Sequence, residues 1–182
     1  MDRDDLDSAL ACIPPRVSQL TGPIRFTAEP SLDDPDALSR WTQSATGLFV
    51  ELATEDIEPH DLAMEFLTCV GQALWERTEE EQRREWLCLL LDETDGGIGG
   101  ELDEAALEAK QYLKTRPSNP DALEAYAAAS FAASIAEYVH SLWHDIEFTE
   151  GEDFLPEAAV KRRFELLSRW FPGFPQFADT GA

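Results

Sequence analysis

The stretch from Asp121 to Glu147, DALEAYAAASFAASIAEYVHSLWHDIE, constrains this chain more than any other, because small apolar residues occupy it on nearly every side. Asn119-Pro120-Asp121 opens it with proline in the first turn, where a missing N–H costs nothing. Leu123, Ala127, Phe131, Ile135, Val139, Leu142 and Ile146 recur at intervals of three and four, which predicts one long helix over 121–147. At about 100° per residue, Glu137, His140 and His144 fall opposite Ile135 and Leu142. Toward the N-terminus that opposite side carries Tyr126, Ala129 and Ala133, so this half is apolar all round. Such a helix is normally surrounded by others, and alanine lets them approach closely. The expectation is a central helix whose histidine-bearing end lies near the surface.

Five more segments read as helices. Asp34-Pro35-Asp36 would cap the first, with Leu38, Trp41, Ala45, Leu48 and Leu52 as its stripe. The next runs from His60 to Arg77 on Leu62, Phe66, Val70 and Leu74. Thr78 and Glu81 form a capping box for a third, which ends in the apolar run Trp86–Leu91. DETDGGIGG, at 92–100, is a breaker and predicts a flexible connector. Leu102, Ala106, Ala109 and Leu113 mark a fourth helix, and Val160, Phe164, Leu167 and Phe171 mark the last, started by Pro156. Residues 1–33 read as an arm: a short acidic helix stopped by Pro14-Pro15, then an irregular segment with Arg25–Ala28 as a weak strand. The tail PGFPQFADTGA would lie across the core through Phe174 and Phe177. The predicted fold class is therefore all-α, a single bundle of about six helices over 34–182 behind an N-terminal arm. A chain of 182 residues is long enough to bury such a core without disulfides or a metal.

Charge narrows the partners. A formal net charge of −23 repels nucleic-acid phosphates and anionic membranes, so neither is expected as a partner. It favours a basic protein partner, or simply solubility. Cys12, Cys69 and Cys88 are odd in number and share no metal-type spacing, which fits reduced thiols. The acidic start MDRDDLDSAL lacks a signal-peptide core, and no apolar run approaches membrane-spanning length, so a cytoplasmic location is expected. Lys161-Arg162-Arg163, with Arg169 beyond, is the basic cluster. It is expected on the exposed side of the last helix, pairing with Glu150, Glu152 and Asp153 or with an acidic surface of another subunit, which keeps a homo-oligomer open.

Candidate chemistry centres on the histidines. His140 and His144 stand one helical turn apart, the spacing that lets two imidazoles reach one metal ion, and Glu137 lies a turn earlier. A further ligand must come from another element, and His60 is the remaining histidine, with Asp61, Glu65 and Asp145 as carboxylate options. The competing explanation is a histidine pair at a helix C-terminus, where partial negative charge favours imidazolium. A lone histidine followed far downstream by HxxxH resembles the three-histidine site of the DinB/YfiT-like helical bundles. That resemblance implies His60, His140 and His144 as metal ligands, although the Trp-Ser segment expected before the first histidine is absent. His60-Asp61 and His144-Asp145 are similar to the dipeptide of HD-type phosphohydrolases, but too little chain follows Asp145 to supply their late aspartate.

The glycine-rich connector fits neither an EF-hand, since Gly96 stands where an oxygen ligand is needed, nor a P-loop, since no Gly-Lys-Ser/Thr follows. No Gly-x-Ser-x-Gly nucleophile elbow is present. The leading expectation is a non-catalytic acidic interaction or regulatory module. The alternative is a bundle holding a divalent transition metal through His140 and His144, completed by His60 or Glu137, of which a metal-dependent hydrolase is one form.

Overall fold

A three-stranded sheet, absent from the sequence expectation, makes the fold mixed α/β though helix-dominated. The computed structural model describes residues 4–34, 37–146, 148 and 151–171. The Pro35-Asp36 cap, Glu147, Glu150 and the tail with Phe174 and Phe177 lie outside the described residues. The elements are α1 (Asp4–Cys12), α2 (Pro15–Thr21), β1 (Ile24–Glu29), β2 (Ser39–Ser44), β3 (Gly47–Ala53), α3 (Pro59–Trp75), α4 (Glu80–Asp95), α5 (Glu104–Thr115), α6 (Pro120–His140) and α7 (Glu157–Trp170).

The all-α expectation fails at residues 39–53, where a hairpin replaces the first predicted helix. Leu38, Trp41, Ala45, Leu48 and Leu52 satisfy a helical period, but Leu48, Val50 and Leu52 equally satisfy a period of two. Gly47 decides between them. It sits at φ 127°, and a Cβ there would lie 2.1 Å from the Pro23 carbonyl oxygen, so the chain turns at this point against the start of β1. Leu48, Val50 and Leu52 then face the core while Phe49 faces outward. β3 is the central strand: β1 pairs parallel to it, with Ile24 opposite Leu48, and β2 pairs antiparallel, with Ser39 opposite Leu52. On the outer face Arg40 donates to both Glu51 carboxylate oxygens at 2.8 Å. In the segment 1–33 the expected short helix is α1 and the expected strand at 25–28 is β1, an edge strand, while α2 occupies part of the stretch expected to be irregular; α1 packs on α3 and α6.

The strands β2 and β3 lie on α3, and α3 runs antiparallel along α6. Close approach of the two helices is fixed by Gly71, where a Cβ would lie 2.7 Å from the Ala132 Cα. α6 also touches α1, α4, α5 and α7, and is buried on nearly every side. Phe131 anchors it, with its ring centre 5.2 Å from Trp75 and 5.4 Å from Trp86, while the Trp86 indole donates to the Ala127 carbonyl at 3.2 Å.

This helix is shorter than the predicted 121–147. It ends at His140, where Ser141 caps it, and the Trp143 and His144 N–H groups both turn back to the His140 carbonyl at 3.1 Å. The capping box of α4 is displaced by one residue, because Gln82 Oε1 accepts from the Glu79 N–H at 3.0 Å. Thr78 instead donates its hydroxyl to the Trp75 carbonyl at 2.6 Å. Among the described residues no helix is long and apolar enough to cross a membrane.

Replacing Gly71 with Ala should destabilise the fold by about 1–3 kcal/mol through backbone overpacking, outweighing alanine's helix-propensity advantage of about 1 kcal/mol. Urea denaturation of wild type and variant measures the difference, and an unchanged or raised midpoint would contradict the close α3–α6 contact.

Candidate functional site

The antiparallel pairing of α3 and α6 brings the start of one helix to the end of the other. His60 follows Pro59 at the first turn of α3, and His140 closes α6. Their ring centres are 4.8 Å apart, His140 and His144 are 5.4 Å apart, and His60 and His144 are 6.1 Å apart. All three histidines singled out in the sequence therefore meet at one corner. His60 and His144 are exposed, whereas His140 is only 7 % exposed. Among the described residues, neither of its ring nitrogens has a hydrogen-bond partner. Glu137 Oε1 lies 3.6 Å from His140 Nδ1, too long for a hydrogen bond but close enough to orient an imidazolium or a metallated ring. Trp143 packs edge-on against His140 at 5.2 Å, and its indole nitrogen is likewise buried without a hydrogen-bond partner among the described residues. Among the described residues, no group of three or more His, Cys, Asp or Glu side chains could hold a metal ion.

Beside this corner runs a groove of about 250 Å³ between α3, α6 and the start of α5. It is lined by Asp61, Glu65, Asp103 and Glu137 over a floor of Ala133 and Ala136. Of the other carboxylate options, Asp145 lies exposed past the turn. Glu65 accepts from the Ser39 hydroxyl at 2.5 Å, and Ser39 in turn accepts from the Cys69 thiol at 3.1 Å. Burial pushes that thiol up to about 11, so it is protonated and unsuited to nucleophilic attack. Asp103 is raised chiefly by burial, with the charges of Glu101 and Glu65 adding, although it caps α5 by accepting from the Ala106 N–H at 2.7 Å. No Lys or Arg lines this groove among the described residues.

Sequence reading missed a third cluster altogether. Arg163, expected on the exposed side of the last helix, is fully buried. Its guanidinium donates to Glu93 Oε2 at 2.7 Å and to Glu101 Oε2 at 2.8 Å. Glu101 also receives Lys110 Nζ at 3.1 Å and the Tyr126 hydroxyl at 2.5 Å. Lys110 completes its bonding on the Gly100 carbonyl at 3.0 Å. Burial alone would raise the Glu101 carboxyl, but Arg163 first and then Lys110 and Tyr126 overcome it and hold the group at about 2. Lys110 is lowered by burial, against the pull of Glu101.

The signal for Arg163 was available, since it stands three residues after Val160 and four before Leu167, inside the apolar stripe. Its neighbours behave as expected of surface residues: Lys161 pairs with Glu157 at 2.8 Å and Arg169 with Glu85 at 2.5 Å. The glycine connector is packed as well, because a Cβ on Gly100 would lie 2.3 Å from the Phe154 carbonyl oxygen, and that approach seats Glu101 in the cluster. This cluster pairs two buried carboxylates with two buried cations, so its chemistry is structural.

Comparison with protein-family models, with curated proteins and with solved structures finds no match to this chain.

Truncating Arg163 to Ala leaves two buried carboxylates short of partners and should cost about 3–5 kcal/mol in denaturant unfolding. Because the Glu101 carboxyl is depressed from 4.5 to about 2, its contribution is complete above its unfolded value and is lost as pH falls toward 2. Lys110→Met should therefore move the acid-unfolding midpoint to higher pH, followed by tryptophan fluorescence; an unmoved midpoint would remove Lys110 from the account.

Proposed function

We propose that this chain is a non-catalytic acidic module that docks a basic segment of another protein, with the α3–α6 groove as the receiving surface. The observation that carries this reading is the groove itself: four carboxylates, a small-residue floor, and among the described residues no lining cation to neutralise them. A lysine or arginine side chain from a partner supplies the missing charge.

The wider surface supports the reading. Lys110 and Arg163 are withdrawn into the core, and Arg40, Arg83, Lys161 and Arg169 each engage a carboxylate of the same chain. A formal charge of −23 then acts over the exterior and accelerates encounter with a basic partner, an effect that weakens with salt. Function in the cytoplasm is part of the proposal, supported by three unpaired cysteines, of which Cys88 is exposed and suited to a reducing compartment.

A short Lys/Arg-rich peptide is the probe. The double reversal Asp61→Lys with Glu65→Lys should weaken its binding roughly tenfold more than Glu80→Lys with Glu81→Lys, which changes net charge equally at the far start of α4. Fluorescence anisotropy at low and high salt reads both effects. Equal weakening by the two pairs would place the binding in the general field and overturn the groove as the docking surface.

A further inference from the structure

We infer that the basic segment docks as an added strand on the open edge of β2, with its lysines or arginines at alternate positions over one side of α3. This rests on the docking reading above and names the conformation and residue pattern of the partner. β2 is an edge of the sheet among the described residues. The Ala53 N–H donates to the Leu38 carbonyl at 2.8 Å, and Ser39 stands opposite Leu52 in the antiparallel register. Hydrogen-bonded pairs alternate along such a ladder, so Leu38, Arg40, Thr42 and Ser44 bond to β3. Ser39, Trp41 and Gln43 therefore turn their N–H and C=O groups to the open side. Edge strands are commonly blunted by lysine, proline or a bulge. Ser39–Ser44 pairs with β3 residue for residue and contains no lysine or proline, and Arg40 is held on the outer face by Glu51.

The side chains of β2 fix what lies beneath an added strand. Ser39 donates to Glu65 at 2.5 Å and the Trp41 indole donates to Gln72 Oε1 at 2.7 Å, which ties one side of α3 to β2. Phe66, the next residue round the helix from Glu65, instead meets Phe26 of β1 at 5.8 Å, under the opposite edge of the sheet. Asp61, Glu65, Thr68, Gln72 and Glu76 follow one another at intervals of three or four, so they form a single stripe along the β2 side of α3. It carries three carboxylates and no cation, and Asp61 and Glu65 of this stripe line the groove. A strand about 4.8 Å beyond β2 turns every second side chain toward the stripe, at intervals of about 6.8 Å. Residues four apart on a helix are separated by about 6 Å along its axis, so alternate basic side chains meet successive carboxylates. The intervening side chains rise on the outer face beside exposed Leu38 and Thr42, where Arg40 is already paired. Uncharged residues fit there. The partner is basic at every second position, with main-chain hydrogen bonds to β2 supplying the rest of its affinity.

The probe is an alternating Lys-Thr peptide, added to the full chain beside two isomers of it methylated on backbone nitrogens. Methyl groups on the lysine amides block the bonds to Ser39, Trp41 and Gln43, whereas methyl groups on the threonine amides face away from β2. Charge is the same in all three peptides. Fluorescence anisotropy should show the lysine-methylated isomer weakened by about tenfold or more and the threonine-methylated isomer within about twofold of the parent. Amide hydrogen exchange followed by NMR should slow at Ser39, Trp41 and Gln43 when the parent peptide is bound. Equal affinity of the two isomers, or unchanged exchange at those three amides, would overturn strand addition. If that result comes while Asp61→Lys with Glu65→Lys still weakens the parent peptide, the groove stands as a docking surface and the strand alone is lost. A parent peptide that does not bind overturns the docking reading, and strand addition with it.

Discussion

The interaction on which the rest of the structure depends is the buried contact between Arg163 and the carboxylates of Glu93 and Glu101. It joins the end of α4, the glycine connector and α7, and through Lys110 and Tyr126 it takes in α5 and α6. Removing these charges from water is costly, and the return depends on complete pairing. Completeness is what the geometry supplies: a forked guanidinium against two carboxylates, an ammonium with a carbonyl as second acceptor, and a tyrosine hydroxyl. An apolar core in the same space would tolerate small displacements of α7, whereas this one accepts few positions, since any slip leaves a charge unmatched.

The same cluster shapes the exterior. Its two carboxylates and two cations cancel, so the chain's entire formal imbalance of −23 belongs to groups outside it. Spending an arginine and a lysine inside leaves fewer cations to mask the α3–α6 groove. The histidine corner adjoins that groove because the antiparallel pairing that seats Gly71 against Ala132 also aligns the start of α3 with the end of α6. One helix pair thus positions both candidate surfaces.

Much of the helical framework was legible. The stripes on Leu62–Leu74 and Val160–Phe171 marked α3 and α7, and the small-residue density of α6 marked its central place. Residues 39–53 were not legible, because Leu48 and Leu52 satisfy both periods and only the tertiary demand at Gly47 separates them. Arg163 was hidden by its company: a basic triplet on an acidic chain invites assignment to the surface, although its position in the stripe argued otherwise. HxxxH fixed two imidazoles one turn apart from local geometry. That His60 joins them depends on a helix pairing that no local pattern encodes.

The long reach of the Arg163 contact bears on how the chain is made. Glu93 leaves the ribosome 70 residues before its guanidinium partner. Until α7 is synthesised, α4 and the connector carry two carboxylates and, in Lys110, one internal cation to meet them. Complete pairing of Glu93 and Glu101 therefore requires α7, the last helix among the described residues.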